Sequence, residues 1–382
     1  MTSGARPKRV LVVAGEASAD MHAANLVKAI NSISKEKIEF SGLGGDALIS
    51  TGLFVPEFHN RDFAVYGLMG LCEQIGKIFS ALKHFKRMAK LGSYDAAVLL
   101  DYPDFNIPLA KSLTKMGVPV VYYISPQVWV WREARAYKLR RYSKSILTIF
   151  PFEKDFYKKK NIDVKFVGHP VLDEIDAYLK TRDMDKIKRS FNIDGRDKII
   201  AVLPGSRRTE IKYILPVMEN TCLEIKKRLN GKVRFIVPVA PTLREDDIYD
   251  VLSPENKGLF ELVKGQTYDV YSVADHVLLA SGTATVEAAI FEKPMTIVYK
   301  VSCLSSFLFK NFIRYKRPIG MVNILLGDKK ITEFFQKDAV PEKIADDVLR
   351  KTTVEELKKI RKVLYAGESA SVMAAKEVLK FL

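Results

Sequence analysis

A short cationic turn in the second half of the sequence combines the residue types that bind phosphate. It reads VLPGSRRTEI at residues 202–211 and joins a strand-like apolar run to a helix-like segment. Gly205 lets a ligand approach the backbone closely, and Ser206 is placed to cap the helix. Amides at a helix start attract anions, and the guanidinium of Arg207 or Arg208 can bind a phosphate through two hydrogen bonds. The turn therefore predicts a phosphate site, and an ordinary capped helix with solvated arginines is the alternative.

A second turn repeats this plan in LLASGTATVEAAIFEKP, residues 278–294. Its small residues offer another anion seat at a helix start, formed by Ser281, Gly282, Thr283 and Ala284. Glu287 lies one helical turn beyond Thr283, where a carboxylate can accept hydrogen bonds from both hydroxyls of a ribose. The alternative for Glu287 is a solvated helix residue. Together the two turns predict a sugar-nucleotide site, with pyrophosphate at the helix starts and the ribose on Glu287.

Neither turn matches GxGxxG, and GxxxxGK[ST] does not occur, so dinucleotide and P-loop interpretations are weak. The triplet Asp183-Met184-Asp185 is of a type that can hold a metal–diphosphate. It lies in a charged stretch behind no hydrophobic strand, which favours a solvated helix face. We therefore expect no metal and no cofactor, because arginine and helix dipoles would stabilise the leaving phosphate.

The first half of the sequence offers carboxylates suited to acid–base chemistry. VLLDYPDFN (98–106) places Asp101 at the carboxyl end of a strand with Asp104 three residues on, and either can act as a general base. The alternative is turn chemistry, since Asp before a proline-containing loop often bonds the backbone. VAGEASAD forms the first strand-to-helix turn, in which Glu16 is exposed and Asp20 is a helix cap.

These turns need elements that hold them at the edge of a sheet. Strand-like runs rich in Val, Ile and Leu alternate with amphipathic stretches, for example 9–15 before 20–30 and 275–282 before 283–293. Such alternation predicts parallel sheets covered on both faces. The pattern occurs twice, on either side of the polar stretch 176–197. The expected fold is α/β with two doubly wound, Rossmann-like domains, whose ligands bind beyond the carboxyl ends of the strands.

Composition narrows the class of the protein. The 382 residues suit two domains, and 48% hydrophobic with 28% charged residues indicates a globular chain. Lys and Arg total 61 against 45 Asp and Glu, and the net charge of +16 predicts anionic partners. Three scattered cysteines without zinc spacing indicate reduced thiols and a cytosolic setting. No run reaches the roughly 18 apolar residues that span a bilayer, and the apolar run 10–14 indicates a first strand and not a signal peptide.

Two segments, 63–90 and 300–318, mix exposed-looking apolar residues with lysines and arginines. Such segments can lie in the bilayer interface, while a core helix with a solvated basic face is the alternative. With the net charge, they favour association with an anionic membrane surface. A third segment, 131–145, is basic with interleaved aromatics, which equally suits a nucleic-acid surface. No recognised nucleic-acid motif accompanies it, so we expect no nucleic acid as partner.

The motifs form an ordered series that covers nearly the whole length: VAGEASAD, GLGG, LDYPDFN, YYISPQVWVWRE, FPFEKDFY, VGHPVLDE, LPGSRRTEI, ASGTATVEA and PIGMVNILLGDKKITEFFQ. In this order the blocks are highly specific. The chain resembles the lipid A disaccharide synthases, a family of inverting glycosyltransferases of Gram-negative outer-membrane biogenesis. The resemblance implies a GT-B fold, in which two Rossmann-like domains face an interdomain cleft.

The resemblance also implies a specific reaction. UDP-2,3-diacylglucosamine is joined to 2,3-diacylglucosamine 1-phosphate through a β-1,6 link, and UDP is released. Residues 1–175, joined by the C-terminal helix 365–382, would form the acceptor and membrane-facing domain, and 176–364 the UDP-sugar domain. The protein is expected in the cytoplasm, peripheral at the inner face of the cytoplasmic membrane. A second copy of the chain is among the expected partners, with the oligomeric state left open.

The resemblance also carries functional positions onto this sequence: nucleotide binding at Arg207 and Glu287, a functional asparagine at Asn323 and a first-loop acid at Glu16. The important aspartate of the family falls in LDYPDFN, where we favour Asp101 and hold Asp104 in reserve. The alternatives are another GT-B enzyme, such as a lipid II glycosyltransferase or a UDP-N-acetylglucosamine 2-epimerase, and a basic nucleic-acid-binding module.

Overall fold

Two parallel β-sheets organise the chain in the computed structural model, which describes residues 6–63, 67–130, 132–301, 318–327, 330–350 and 354–382. Only the backbone is described at 67–74. The chain divides into two units, one formed by Met1–Asp173 with Leu364–Leu382 and the other by Glu174–Val363. The doubly wound α/β fold expected from the sequence is confirmed.

The strands of the first unit are β1 (Lys8–Ala14), β2 (Ile38–Gly44), β3 (Phe54–His59), β4 (Ala96–Leu100), β5 (Val120–Tyr123), β6 (Ser145–Thr148) and β7 (Lys165–Phe166). In the described part of this unit they form one parallel sheet with the order β3-β2-β1-β4-β5-β6-β7. Its helices before the unit boundary are α1 (Ala17–Ile33), α2 (Asp46–Ile49), α3 (Gly67–Lys90), α4 (Pro103–Lys115), α5 (Arg135–Tyr142) and α6 (Pro151–Lys158), with a 3-10 helix at Asn60–Phe63. The next helix, α7 (Pro170–Thr181), begins in the first unit and continues into the second.

The strands of the second unit are β8 (Lys198–Leu203), β9 (Val233–Val239), β10 (Phe260–Lys264), β11 (His276–Ala280), β12 (Met295–Tyr299) and β13 (Glu333–Phe335). Among the described residues their order is β10-β9-β8-β11-β12-β13, again all parallel. The helices that follow α7 are α8 (Met184–Ser190), α9 (Arg208–Arg228), α10 (Glu245–Tyr249), α11 (Thr267–Val273), α12 (Thr283–Ile290), α13 (Met321–Leu326), α14 (Pro341–Leu349), α15 (Glu355–Leu364) and α16 (Ala370–Leu379). Two 3-10 helices lie at Pro254–Leu259 and Gln336–Asp338.

Continuous apolar runs form the central strands because helices cover both sheet faces. β4 and β11 are buried at every position. Each fully buried Val or Leu side chain contributes about 1.5–3 kcal/mol. The sheets are therefore rigid supports for the turns that leave their carboxyl ends.

The strand orders place a switch point in each sheet. In the first unit the chain extends from β1 to β2 and β3 on one side, and from β4 to β7 on the other. In the second unit β8 and β11 are the corresponding neighbours. Open α/β sheets bind ligands at this point, beyond the strand ends. The turns after β1, β4, β8 and β11 carry four of the motifs quoted above: VAGEASAD, LDYPDFN, LPGSRRTEI and ASGTATVEA.

The helix α16 belongs to the first unit, where it packs against α1. Its start is held by Asp173, whose Oδ2 accepts hydrogen bonds from the Ser369 hydroxyl at 2.8 Å and from the Ser371 amide at 3.0 Å. Ser369 is itself the helix cap. A carboxylate at a helix start also interacts favourably with the helix dipole.

Candidate active site

The cationic turn between β8 and α9 is closed by a carboxylate of the chain itself. Glu210 Oε2 accepts hydrogen bonds from the amides of Ser206 at 2.8 Å and Arg207 at 3.2 Å. Gly205 has φ of 125°, and a Cβ added there would lie 2.4 Å from Glu210 Oε2. Glycine is therefore required at this position both by the backbone and by the packed carboxylate.

The prediction that Ser206 caps α9 is wrong. The cap residue is Arg207, and Glu210, at the third helical position, takes the amides that a serine hydroxyl was expected to serve. The amides of Ser206 and Arg207, expected to be exposed for an anion, are thus already bonded.

The two arginines of the turn differ in their surroundings. Arg208 Nη2 lies 2.9 Å from Oδ1 of Asp247, whose side chain is only 8% exposed. The Arg207 side chain is 68% exposed, and its Nη1 is 3.6 Å from Glu210 Oε1. A guanidinium with a long contact and a solvated position can reorient toward a ligand. Of the two candidates, the geometry favours Arg207.

In the turn between β11 and α12 the glycine is surrounded by open space, unlike Gly205 in the cationic turn. Gly282 has φ of 154°, and an added Cβ would meet no atom within 4 Å. Thr283 is exposed and Ala284 is half-buried. The hydroxyl of Ser281 is engaged within the fold, because it donates to the carbonyl of Ile319 at 2.9 Å. The backbone in front of α12 is therefore open to an incoming group.

Glu287 lies beside two phenols. The Tyr271 hydroxyl is 3.3 Å from two acceptors, Glu287 Oε2 and the carbonyl of Ala284. Burial, and then the Glu287 carboxylate, raises the pKa of Tyr271 well above its usual value, and the same two causes in the same order raise the pKa of Tyr268. Both phenols stay protonated at neutral pH. Glu287 is half-buried beside them and is not a solvated helix residue.

Sheet register brings these two turns together. Leu203 at the end of β8 lies opposite Leu279 in β11. Neighbouring strands are about 4.8 Å apart. The turns that follow, with Arg207 on one and Gly282 on the other, therefore leave adjacent strand ends at the switch point of the second unit.

Asn323 lies fully buried in α13. Its Nδ2 donates to the carbonyl of Ile331 at 2.8 Å and to Glu333 Oε1 at 2.7 Å, while its Oδ1 accepts from the Ile331 amide at 2.8 Å. All of these contacts are internal. The sequence singled out Asn323 but missed Glu333, which lies in the same motif, and Tyr271, which lies in none of the motifs.

In the first unit, the turn after β4 is strained. Asp101 and Tyr102 have φ of 43° and 42°, a left-handed conformation that two successive non-glycine residues rarely adopt. Buried donors hold it, because the Asp101 carbonyl accepts from the Tyr122 hydroxyl at 2.5 Å and from Asn106 Nδ2 at 2.8 Å. Such residues cost about 1–3 kcal/mol each and cluster at functional sites.

The turns after β1 and β4 touch. A Cβ added to Gly15 would lie 2.5 Å from Cδ1 of Tyr102, so the phenol ring covers Gly15. Next to it, Glu16 is exposed and is the residue before α1. Burial, followed by the charges of Glu16 and Asp104, raises the pKa of Tyr102. Two candidate acids, Glu16 and Asp104, therefore lie near the Tyr102 ring, and the third, Asp101, directly precedes Tyr102 in the chain.

Asp104 and Asp101 differ in their partners. Asp104 forms an ion pair with Arg135, and Arg132 Nη1 lies 3.6 Å from the same carboxylate oxygen. A nearby buried acid, Glu153, has its pKa raised to about 8 by burial, with a smaller contribution from the Asp101 charge. Asp101 is half-buried with a fully buried acid nearby, whereas Asp104 is exposed and bound to guanidinium groups.

One other expectation needs correction. Asp20 does not cap α1, which begins at Ala17; its carboxylate accepts from the amides of Gly45 at 2.6 Å and Ala47 at 2.9 Å and so caps α2. The DxD triplet lies at the exposed start of α8, in line with the solvated interpretation: Asp183 caps the helix by accepting from the Lys186 amide at 2.9 Å, and Asp185 is exposed in the first turn. In the described ranges, no group of three or more His, Cys, Asp or Glu side chains has a metal-binding arrangement.

The basic apolar segments are described in part. In α3, Phe79 and Ile75 are 67% and 45% exposed, whereas Phe63, expected to be exposed, is buried in the core. The second segment lies mostly outside the described residues, at 302–317. The helices of the described ranges include none with the length and apolar character that crossing a bilayer requires.

Two doubly wound units, each with motif-bearing turns at a switch point, define a two-domain α/β fold of the GT-B type. Solved structures share this fold at low identity. A UDP-GlcNAc 2-epimerase from Neisseria meningitidis bound to UDP-GlcNAc has a TM-score of 0.63 at 14% identity, covering 97% of this chain and 98% of that one. MurG from Acinetobacter baumannii has a TM-score of 0.55 at 15% identity, covering 98% and 100%.

Sequence comparison is more specific than the fold. A family model for lipid-A-disaccharide synthetase matches residues 10–377. The lipid-A-disaccharide synthase of Syntrophus aciditrophicus is 38% identical over 379 residues, 96% of this chain and 97% of the relative. That of Coxiella burnetii is 35% identical over 376 residues, 96% and 97%. The chain belongs to the lipid-A-disaccharide synthetase family, as the motifs indicated, and is a glycosyltransferase. The epimerase and nucleic-acid alternatives are not favoured.

Proposed function

We propose that this chain joins UDP-2,3-diacylglucosamine to 2,3-diacylglucosamine 1-phosphate with inversion at the anomeric carbon, giving lipid A disaccharide 1-phosphate and UDP. The observation that carries the proposal is the family match over residues 10–377, with relatives of the same name and nearly the same length. The arrangement of the four turns supports it, since each unit presents its motifs at a switch point.

UDP binding is assigned to the second unit. The Arg207 guanidinium and the α12 start at Ser281, Gly282, Thr283 and Ala284 would hold the diphosphate, and Glu287 would accept hydrogen bonds from the ribose hydroxyls. Support comes from the exposure of Arg207, the open backbone at Gly282 and the carboxylate beside Tyr271. A positive group and a helix start stabilise the charge that develops on departing UDP, and no metal is required for this.

Acceptor activation is assigned to the first unit. Asp101 would take the proton of the acceptor hydroxyl as that oxygen attacks the anomeric carbon and the bond to UDP breaks. The strained turn supports Asp101, because backbone strain of this kind accompanies functional positions. Asp104 is the reserve, since two arginines already contact it. Glu16, whose charge contributes to the raised pKa of Tyr102, adds a second carboxylate to this part of the first unit.

Membrane association follows from the substrates. Both are acylated and lie in a bilayer, so the enzyme must collect them from its surface. The exposed apolar residues of α3 and the net charge of +16 support attachment to an anionic surface at the inner face of the cytoplasmic membrane. We also propose a second copy of the chain as a partner, and the mass measured in solution tests this.

The test is a turnover assay with defined acylated donor and acceptor in the presence of a chelator. Disaccharide and UDP should form in equal amounts and only when the acceptor is present. UDP release without acceptor dependence, or loss of turnover on chelation, would contradict the proposal. Conversion of UDP-N-acetylglucosamine to its 2-epimer would favour the epimerase alternative.

A further inference from the structure

Glu333, at the start of β13, accepts hydrogen bonds from backbone amides of a turn in the second unit. Its Oε2 accepts from the Ile319 amide at 2.9 Å, and its Oε1 accepts from the Gly320 amide at 2.8 Å. Oε1 also accepts from Asn323 Nδ2 at 2.7 Å. Hydrogen bonds to an ionised acceptor are the stronger kind, so three on one carboxylate fix this turn firmly.

The same turn is tied to the proposed UDP site at its other face. The amide of Ile319 donates a hydrogen bond to Glu333, while its carbonyl accepts one from the Ser281 hydroxyl at 2.9 Å. Ser281 directly precedes Gly282, whose backbone faces open space. One residue therefore connects the carboxylate to the start of α12.

The packing around this connection leaves little freedom. A Cβ added to Gly320 would lie 2.5 Å from Cδ1 of Ile297 and 2.9 Å from Glu333 Oε1. Glu333 is also paired in register with Ile297, so the carboxylate is anchored to the sheet. The sheet thus determines where the Ile319 carbonyl lies and, through it, where the Ser281 hydroxyl is held.

We infer that Glu333 is a positioning residue for the UDP-binding turn, acting through Ile319 and Ser281, and that Asn323 acts by holding Glu333 without touching substrate. The inference rests on the proposed function of the α12 turn. It explains why a buried asparagine with only internal contacts belongs to a functional motif.

The experiment compares Glu333→Gln with the unaltered chain. A glutamine Nε2 donates only, so at least one of the two backbone amides loses its acceptor and meets another donor. Because small displacements of positioning groups cost up to about a hundredfold, we expect the UDP dissociation constant and the donor KM to rise about tenfold or more. The acceptor KM should stay unchanged. Glu342→Gln, at an exposed position of α14, is the matched control.

A double-mutant cycle with Ser281→Ala separates positioning from general destabilisation. If Glu333 acts through Ser281, the two substitutions together should weaken UDP binding less than the sum of their single effects. Should Glu333→Gln fail to fold, Ser281→Ala alone cuts the same connection and should raise the donor KM.

Equal UDP affinity and donor KM in folded Glu333→Gln and the unaltered chain would overturn the inference, as would strictly additive effects. If Ser281→Ala serves as the substitute, an unchanged donor KM overturns it. Failure of the unaltered chain to bind UDP would instead overturn the proposed function together with the inference, so the two failures are distinguishable.

Discussion

Replacing Arg207 with alanine tests the phosphate role of the cationic turn, because Arg208 beside it provides a contrasting variant. Hydrogen bonds to charged groups contribute about 1.5–3 kcal/mol. The Arg207 side chain is 68% exposed, so water screens it and the lower part of that range applies. Since about 1.4 kcal/mol is a factor of ten, UDP should bind about tenfold more weakly to Arg207→Ala.

The two substitutions should affect the free energy of unfolding in the opposite order, with Arg208→Ala the more destabilising. Arg207 contacts Glu210 at 3.6 Å in a solvated pair, and such pairs contribute at most about 1 kcal/mol. Arg208 pairs with Asp247, whose side chain is 8% exposed. Removing one partner of such a pair leaves a poorly solvated carboxylate. Arg208→Ala should therefore unfold at lower denaturant concentration while its UDP affinity stays close to that of the unaltered chain.

Isothermal calorimetry with UDP and urea unfolding of both variants measure the two quantities. Circular dichroism of each variant controls for loss of fold. The reasoning is refuted if Arg207→Ala binds UDP as tightly as the unaltered chain, or if Arg208→Ala loses more UDP affinity than Arg207→Ala does.

Three further predictions concern other parts of the chain. Asp101→Asn should abolish turnover but retain UDP binding, whereas Asp104→Asn should keep measurable turnover; an active Asp101→Asn variant would exclude it as the base. Replacing Ile75 and Phe79 with serine should reduce co-sedimentation with anionic vesicles, and undiminished binding would argue against α3 as a membrane contact. Glu153 has its pKa raised to about 8 from the usual 4.5, so the unfolded state loses its proton first and stability falls as pH rises between these values. Glu153→Gln should flatten that fall in urea unfolding at pH 5 and pH 8, and an unchanged difference would contradict it.

The sequence predicted the central strands well because burial on both faces leaves a continuous apolar signal, as in β1 and β11. It did not predict β7 or β13, which have two and three residues and carry charged side chains. Strands this short are defined by their neighbours in the sheet and not by their own pattern.

The capping errors have a common cause. Ser206 and Asp20 both have side chains that can cap a helix, but each helix starts at a different residue from the one expected. Glu210 serves the α9 start from inside the helix, and Asp20 serves another helix across the fold. Local propensity identifies a capping side chain; the tertiary structure decides which amides it serves.

In the candidate site, too, local residue types could be read from the sequence but tertiary contacts could not. Arg207, Gly282 and Glu287 follow from the residue types in two turns. Glu333 lies in the same motif as Asn323, but its role could not be found this way, because its three donors are ten or more residues away and no spacing rule connects them. Positioning residues of this kind become visible only when the backbone they hold is located.

The last helix gives the chain an unusual order of synthesis. Residues 174–363 leave the ribosome before α16 does, yet α16 and its Asp173 contacts belong to the unit that begins the chain. Domains commonly fold in order from the amino terminus as they emerge. Here the second unit can complete its fold while the first still lacks α16, so the α1 face stays uncovered until that helix emerges.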